Sequence, residues 1–264
     1  MATLIESVRA WVDRIHLNAT SKGERGGRPV LLKRRRPAAR LVMELANVFF
    51  RLARNPVEAL SRAADWREWE VNWFRRLHGP EFVAGTDPDG TVWVEMLPGE
   101  NLFRRLVKGT LQPAHLAAAG AELRRAHGLE CAHHRSGWSH GDPHTGNFLF
   151  DAASGRARLI DFEVRHLRGF PERERHADDL LVLLQDVCGL CHEADWLPLA
   201  GAFLAGYGRE EIVALLFEKL HVPRGIPRLW WAVRTTWMPR AELERRFALL
   251  SSRRRQEAGT LSGA

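Results

Sequence analysis

His140-Gly-Asp-Pro-His-Thr-Gly-Asn147, followed after a short gap by Leu159-Ile-Asp-Phe-Glu163, is the stretch that decides the fold of this 264-residue chain. Phosphoryl transfer asks little covalent chemistry of a protein, so its site must hold magnesium against the phosphates and present the acceptor oxygen in line. Asp142 would meet the acceptor hydroxyl, while Asn147 and Asp161 would supply oxygen ligands of the kind that magnesium prefers. The stretch therefore predicts a site for phosphoryl transfer.

A hairpin is expected between the two halves of this stretch. Two apolar-rich runs, Asn147-Phe-Leu-Phe150 and Arg156-Ala-Arg-Leu-Ile160, flank a loop that contains Gly155. Such a pattern is a β-hairpin signal. We expect the hairpin to carry Asn147 at one end and Asp161 at the other.

These residues resemble the HxDxxxxN and DFG elements of the protein-kinase-like superfamily. The variant HGDPHTGN with DFE is similar to that of lipopolysaccharide (Kdo/WaaP) kinases, RIO-type kinases and aminoglycoside-type phosphotransferases. The resemblance implies an α+β, two-lobed fold that binds ATP and Mg²⁺. It also implies that His140 and Asp142 belong to a catalytic loop and that Asn147 and Asp161 are metal ligands. The alternative is a polar loop between two strands of an unrelated fold.

A lysine upstream fits the same resemblance. Val30-Leu-Leu-Lys33 is similar to the strand whose lysine contacts the α- and β-phosphates of ATP. Lysine is rare in this chain, with only four in 264 residues, so composition alone would rarely place a lysine at this position. The alternative is that Lys33 opens a solvated basic run, Lys33-Arg-Arg-Arg36.

A glutamate is expected to pair with that lysine. Glu70 falls within a stripe of tryptophan, phenylalanine and leucine residues at helical spacing over residues 66–77. A carboxylate on an apolar stripe is costly unless it is paired, which favours a Lys33–Glu70 ion pair, with Glu68 as the reserve. The separation exceeds the usual spacing in the family, and an additional helical segment around residues 37–64 would fill it.

Two further parts of a nucleotide site are expected in the N-terminal region. Residues 91–99 predict a strand that runs into a Pro-Gly turn, similar to the family's hinge, where backbone groups from Glu95 to Leu97 would hydrogen-bond adenine. The glycine cluster at residues 21–27 does not spell GxGxxG. It would either cover the phosphates or form a plain β-turn.

Two helices are predicted farther along the chain. Residues 113–127 begin with proline and end before Gly128, which are start and stop signals. Residues 177–187 form a continuous apolar run that predicts a buried helix. Asp178 or Asp179 would cap this helix or anchor the catalytic loop, and capping is the favoured interpretation.

Two expected elements of a regulated protein kinase are missing from the sequence. Gly141 stands where the family usually has an arginine, and no Ala-Pro-Glu element follows Asp161. Because that arginine pairs with a phosphorylated activation loop, we expect no phosphorylation switch. A small or lipid-linked acceptor is favoured over a protein.

Length and composition suit one two-lobed unit. The chain has 45% hydrophobic and 27% charged residues, which is ordinary for a globular protein. We expect an N-lobe over residues 1–97, a helical C-lobe over 98–257 and a disordered tail over 258–264. The first residues lack the pattern of a signal peptide, so a cytoplasmic location is expected.

The charge distribution bears on the partners. The net charge is +7 and the pI is near 10.1, and tryptophans alternate with arginines over residues 228–240. This segment would either contact an anionic membrane peripherally, as interfacial tryptophan and arginine do, or form a buried aromatic stripe with solvated arginines. No nucleic-acid-binding signature accompanies the charge, so nucleic acid is not an expected partner.

The sequence thus predicts an ATP-dependent phosphotransferase that modifies a hydroxyl. By resemblance to the lipopolysaccharide kinases, the acceptor would be a sugar or glycolipid at the cytoplasmic face of the inner membrane. An atypical serine/threonine kinase, a small-molecule phosphotransferase and an ATP-binding pseudokinase are the alternatives. The sequence leaves the oligomeric state open.

Overall fold

The computed structural model describes residues 17–191 and 195–261, with the backbone alone for residues 257–261. The chain divides into two compact units. The first comprises residues 17–49, 58–97 and 161–164, and the second comprises residues 50–57, 98–160 and 165–261. The N-terminal segment whose pattern argued against a signal peptide, residues 1–16, lies outside the described residues.

The elements before residue 98 are mostly strands. In chain order they are β1 (Asn18–Arg25), β2 (Arg28–Arg35), α1 (Ala39–Leu52), β3 (Val57–Ala59), α2 (Ala63–His78), β4 (Ala84–Thr86) and β5 (Val92–Glu95). Helix α1 falls within the segment 37–64, where additional helix was expected.

The elements after residue 98 are mostly helices. They are β6 (Glu100–Asn101), α3 (Leu102–Val107), α4 (Pro113–His127), β7 (Glu130–Cys131), β8 (Ser136–Gly137), a 3₁₀ turn (Thr145–Asn147), β9 (Phe148–Asp151), β10 (Arg156–Leu159), β11 (Val164–His166), α5 (Glu172–Leu190), α6 (Trp196–Tyr207), α7 (Glu210–Lys219), α8 (Ile226–Arg234) and α9 (Arg240–Leu261). The predicted α+β class, with an N-terminal antiparallel sheet and a helical C-terminal region, is confirmed.

A four-stranded antiparallel sheet, in the order β1-β2-β5-β4, forms the centre of the first unit. The glycine cluster closes the β1–β2 hairpin, with Gly26 and Gly27 both at positive φ between the paired residues Arg25 and Arg28. A two-residue turn with two positive φ angles matches the twist of a hairpin. The cluster therefore forms a tight β-turn.

Helix α2 packs on strands β4 and β5 of this sheet. It buries the predicted apolar stripe, including Trp66, Trp73, Phe74 and Leu77. Glu70 lies within the same stripe and is fully buried. The pattern of residues 66–77 thus predicted the buried face of the helix.

Helices α4 and α6 of the second unit approach each other closely through glycines. A Cβ atom at Gly120 or Gly206 would overlap the backbone of the facing helix. The predicted bounds of α4 agree with the structure. The predicted hairpin is also present, with Phe148 opposite Leu159 and Asp151 opposite Arg156.

Helix α5 begins at Glu172, five residues before the predicted start. Its first turns are rich in polar and basic residues, yet Arg175 and His176 are buried in the helix. Arg175 reaches this position because its guanidinium donates to the Ser136 hydroxyl and the Gly137 carbonyl. The polar composition of these residues therefore did not predict that the start of helix α5 is buried.

The C-terminal end of the described chain is helical. Helix α9 runs through residues 258–261, part of the expected tail, whereas residues 262–264 lie outside the described residues. Within residues 17–191 and 195–261, no helix combines the length and apolarity needed to cross a bilayer.

Candidate active site

A buried lysine with two carboxylates forms the centre of the first unit's polar cluster. Strand β2 places Lys33 opposite Val92, with 6% of its surface exposed. Its Nζ lies 2.5 Å from Glu70 Oε1 and 2.7 Å from Asp161 Oδ1. The structure thus brings Lys33, Glu70 and Asp161 together, whereas the reserve candidate Glu68 is exposed.

Glu70 also fixes the chain after Asp161. Its second oxygen, Oε2, accepts a 2.9 Å hydrogen bond from the backbone N–H of Phe162. Asp161 has a φ of +69°, a left-handed conformation that aspartate tolerates better than most residues. The Glu70 carboxylate thus binds Lys33, which contacts Asp161, and the backbone of Phe162, which follows Asp161 in the chain. Both contacts hold Asp161 in place.

The cluster keeps Lys33 charged. Burial alone would lower the pKa of Lys33, but the charge of Asp161 and then that of Glu70 outweigh burial and raise it. Burial raises the pKa of Glu163 to about 8, with repulsion from Asp161 adding to the effect. The Glu163 carboxylate accepts a hydrogen bond from the Asn18 amide.

Three carboxyl groups and two cations make up this cluster. Glu70, Asp161 and Glu163 lie near Lys33 and Arg35, with Arg35 Nη1 at 3.9 Å from Glu163 Oε2. Because a pKa near 8 leaves Glu163 mostly protonated at neutral pH, the carboxylates of Glu70 and Asp161 balance the charges of the two cations. Asp161 is the accessible member, with 40% of its side chain exposed.

In the second unit, the loop from His140 to Asn147 is held by its own side chains. His140 Nδ1 accepts from the Asp142 N–H at 3.3 Å, and its Nε2 lies 3.1 Å from the Ile160 carbonyl. The Asn147 amide nitrogen donates to the Asp142 carbonyl at 2.9 Å. Ile160 N–H donates to the Asn147 carbonyl at 3.0 Å, which ties the end of the hairpin to the loop.

Asp179 anchors this loop, so the favoured prediction that Asp178 or Asp179 caps its helix is wrong. Asp179 is fully buried, and its two oxygens accept from the backbone N–H groups of His140 and Gly141, each at 2.7 Å. His127 Nε2 makes a third contact at 3.0 Å. Burial alone would raise the pKa of Asp179, but the His127 hydrogen bond and nearby histidines hold it well below its usual value.

Gly141 shows why this loop carries no arginine before Asp142. Its φ is +87°, and a Cβ atom there would lie 3.2 Å from the Arg165 Cα atom. Both the dihedral angle and the close backbone approach favour glycine.

The Asp142 carboxylate is accessible, with 34% of its side chain exposed. Arg234 Nη2, on helix α8, lies 3.7 Å from Asp142 Oδ1 and 3.5 Å from the Gly141 carbonyl. His144 Nε2 lies 4.0 Å from Asp142 Oδ2. Sequence reasoning missed Arg234, because nothing in its spacing relates it to a loop about ninety residues earlier.

The hinge candidates lie at the end of strand β5. The Glu95 N–H donates to the Val83 carbonyl, and the Glu95 carboxylate contacts Arg28. The Glu95 N–H is therefore committed within the sheet. Leu97, two residues farther on, is half-buried.

Asn147 and Asp161 each carry an oxygen donor of the kind that magnesium prefers. The described part of the chain contains no cluster of three or more histidine, cysteine, aspartate or glutamate side chains that could hold a metal ion by themselves. One amide oxygen and one carboxylate are hard ligands that suit magnesium with phosphates and water. Because its nitrogen is bonded to the Asp142 carbonyl, the Asn147 amide would offer its oxygen as the ligand.

No protein-family model and no curated protein matches this chain. Among solved structures, it is similar to Rv3197 of Mycobacterium tuberculosis in complex with erythromycin, with 20% identity and a TM-score of 0.38 over 80% of this chain and 54% of that chain. It is also similar to WbdD, a bifunctional kinase-methyltransferase, with 16% identity and a TM-score of 0.40 over 84% and 48% of the two chains.

A third similar structure is the streptomycin–ATP–APH(2")-IIa ternary complex, with 12% identity and a TM-score of 0.40 over 90% of this chain and 97% of that chain. This chain spans about half the length of Rv3197 and of WbdD.

Proposed function

We propose that this protein is an ATP- and magnesium-dependent phosphotransferase that moves the γ-phosphoryl group to a hydroxyl. The observation that carries the proposal is the buried Lys33–Glu70 pair with Asp161 on the same ammonium group. A lysine that stays charged beside an accessible carboxylate offers both a phosphate contact and a metal ligand, which phosphoryl transfer requires. The ordered loop of Asp142 and Asn147 adds the remaining groups.

The residues would act in separate roles. Lys33 holds the nucleotide phosphates, and Asn147 and Asp161 would hold magnesium, which when bound neutralises phosphate charge. Asp142 orients the acceptor hydroxyl and receives its proton as the new oxygen–phosphorus bond forms. The bond from the γ-phosphorus to the bridging oxygen breaks, and ADP leaves with that electron pair.

We propose a sugar hydroxyl on an anionic, lipopolysaccharide-type glycolipid as the acceptor. Gly141 and the absence of an Ala-Pro-Glu element support a non-protein acceptor. The net charge of +7 favours an anionic acceptor over a cationic one. An atypical serine/threonine kinase, a small-molecule phosphotransferase and a pseudokinase are the competing functions.

Helix α1 supports the proposal of peripheral contact with an anionic bilayer. Its apolar residues Leu41, Leu45, Val48 and Leu52 recur at helical spacing, and each is at least 45% exposed. Exposed arginines, Arg40 and Arg51, lie beside this stripe. An apolar face with an arginine border suits the interface of a bilayer that carries anionic lipid.

The tryptophans of residues 228–240 contribute less to such a surface. The Trp230 ring packs on Phe50 at 4.9 Å and the Trp231 ring on Phe247 at 5.9 Å, measured between centroids. Only Trp237 is exposed among the three, at 37%. Helix α1 is therefore the surface to test.

The test of the reaction is Asp142→Asn, with Asp151→Asn at the end of strand β9 as the matched control. We expect transfer from γ-labelled ATP to fall by about 10²- to 10⁴-fold, the usual contribution of a positioned base. Nucleotide binding should stay within about twofold, because Asp142 contacts the acceptor rather than ATP. Unchanged turnover in Asp142→Asn would overturn the assignment.

The acceptor is tested with the same label on lipid A–core sugars, cationic aminoglycosides and generic protein substrates, with Asp161→Ala as the inactive reference. Label on the core sugars supports the proposed acceptor. Label on an aminoglycoside or on protein would replace it with the corresponding competing function. ATP binding without label on any acceptor would identify a pseudokinase.

The membrane proposal is tested by sedimentation with liposomes of phosphatidylglycerol or phosphatidylcholine. We expect salt-sensitive binding to the anionic liposomes alone, reduced at least tenfold by the double substitution Leu41→Glu and Leu45→Glu. Val107→Glu, which replaces an exposed valine elsewhere, is the control. Absence of binding at low salt would refute the proposal, and loss of a dimer in the double variant would assign the stripe to a second copy.

A further inference from the structure

A cavity of about 380 Å³ lies within the second unit, beside helix α8. Its walls include Asn55, Trp230 and Arg234, together with prolines and the basic residues Arg54, Lys219 and His221. The volume lies toward the lower end of the range for small-molecule sites. No local pattern predicts this cavity, because its walls come from three separate segments, within residues 53–56, 170–181 and 219–234.

Asn55 is the first sign that the cavity binds a ligand. It is 7% exposed, and its backbone N–H donates to the Phe50 carbonyl at 2.8 Å. Neither its side-chain oxygen nor its side-chain nitrogen makes a hydrogen bond to any described residue. Since buried amides in native proteins are almost always hydrogen-bonded, this donor–acceptor pair in a cavity wall suits a ligand with hydroxyl groups.

Arg234 is the second sign, and it joins the cavity to Asp142. Its side chain is only 9% exposed, and its guanidinium lies over the Trp230 ring at 4.6 Å. Nη2 faces the Asp142 carboxylate at 3.7 Å, while Nε is buried with no hydrogen bond within the part of the chain that the structure describes. One side chain therefore lines the cavity and contacts the proposed acceptor-binding aspartate.

The charge of the walls selects the ligand class. Four basic side chains face the cavity against one carboxylate, that of Asp178. Lys219 is paired with Glu174, Asp178 with His166 and Arg234 with Asp142, so that Arg54 is the cation of these walls with no ion pair among the described residues, and Arg234 adds its remaining donors. Arginine binds carboxylate and phosphate groups through parallel hydrogen bonds.

We infer that this cavity holds the acceptor as a sugar ring that carries an anionic group. Arg234 and Arg54 bind the anion, and the Asn55 amide pairs with ring hydroxyls. The apolar face of the ring packs against the tryptophans of helix α8. The inference rests on the proposed phosphotransferase function, because Arg234 places a bound sugar beside Asp142.

The experiment measures binding by calorimetry without ATP, so it does not depend on transfer. The probes are glucose 6-phosphate, glucuronate, glucose, glucosamine and inorganic phosphate. We expect either or both anionic sugars to bind at least tenfold tighter than glucose and glucosamine, and the stronger of the two identifies the anionic group. Equal binding of charged and neutral sugars, or phosphate binding as tight as that of glucose 6-phosphate, would overturn the inference.

Variants locate the binding in the cavity. Asn55→Ala and Arg234→Gln should each weaken the preferred sugar at least tenfold, and Arg234→Lys should restore part of the loss. Arg156→Gln, on the exposed face of strand β10, is the control and should bind as the wild type does. Variants that keep the wild-type melting temperature and affinity would place the ligand elsewhere.

The experiments distinguish a failure of the cavity assignment from a failure of the proposed phosphotransferase function. If the sugar binds and Asp142→Asn leaves its affinity within threefold, yet no label is transferred from ATP, the cavity assignment stands and the phosphotransferase function is lost. If label reaches an acceptor and Asn55→Ala leaves the Michaelis constant of that acceptor unchanged, the reaction stands and the cavity assignment is overturned.

Discussion

Replacing Asp179 with asparagine should cost about 3–5 kcal/mol of unfolding free energy. The carboxylate accepts three hydrogen bonds, from the His140 and Gly141 N–H groups and from His127. Whichever way an asparagine amide is turned, its nitrogen faces at least one of these donors. The lost charge-assisted hydrogen bond costs about 1.5–3 kcal/mol, and the buried donor left without an acceptor costs about 1–3 kcal/mol. The remaining hydrogen bonds also weaken, because the amide carries no charge.

Urea denaturation followed by fluorescence measures this change. Asp178→Asn is the matched control, since the neighbouring side chain is 15% exposed and makes one 3.2 Å contact with His166. A loss of about 1 kcal/mol is expected for that control. A loss of less than 1 kcal/mol in Asp179→Asn would show that the carboxylate does not anchor the loop as its geometry indicates.

Two other perturbations test the packing and the buried histidines. Gly120→Ala should lower the unfolding free energy by about 1–3 kcal/mol, because its Cβ atom would overlap a carbonyl of the facing helix. Gly201→Ala is the control, since its Cβ atom would have its nearest neighbour at 3.7 Å, and this variant should be neutral or slightly stabilised in thermal melts. Equal effects of the two substitutions would refute the close helix contact. Burial lowers the pKa of His127, and lowers that of His176 to about 2. The unfolded chain takes up the His176 proton below its pKa of about 6.5 and the folded chain does not. The unfolding free energy should therefore fall by about 2 kcal/mol for His176 between pH 7 and pH 5, and His127 should add to the loss in the same direction. Urea titrations at the two pH values would contradict this if stability were unchanged or higher at pH 5.

Local sequence signals predicted the parts of the site that depend on nearby residues. The hairpin between Asn147 and Asp161 follows from two short runs and a glycine turn, and it is present with Phe148 opposite Leu159. Glu70 could be identified because a carboxylate on an apolar helical stripe requires a partner. Lys33 is that partner in the structure.

The parts that were missed depend on contacts between distant segments. Asp179 was expected to cap a helix, because the polar residues before it concealed the true start at Glu172. Arg234 and Asn55 are ordinary members of basic and loop segments, and only the packed second unit brings them to one cavity. Periodicity reports which face of an element is buried, but not which side chain of another element meets it.

The conformation of Gly141 limits how this protein can change over time. Its positive φ strains any other residue, and a Cβ atom there would press against the Arg165 backbone. A single mutation to arginine would therefore distort the loop that carries Asp142 before it could sense a phosphate. A variant of this chain that is regulated by phosphorylation would therefore need a changed backbone contact at residue 165, or a phosphate-binding residue at another position.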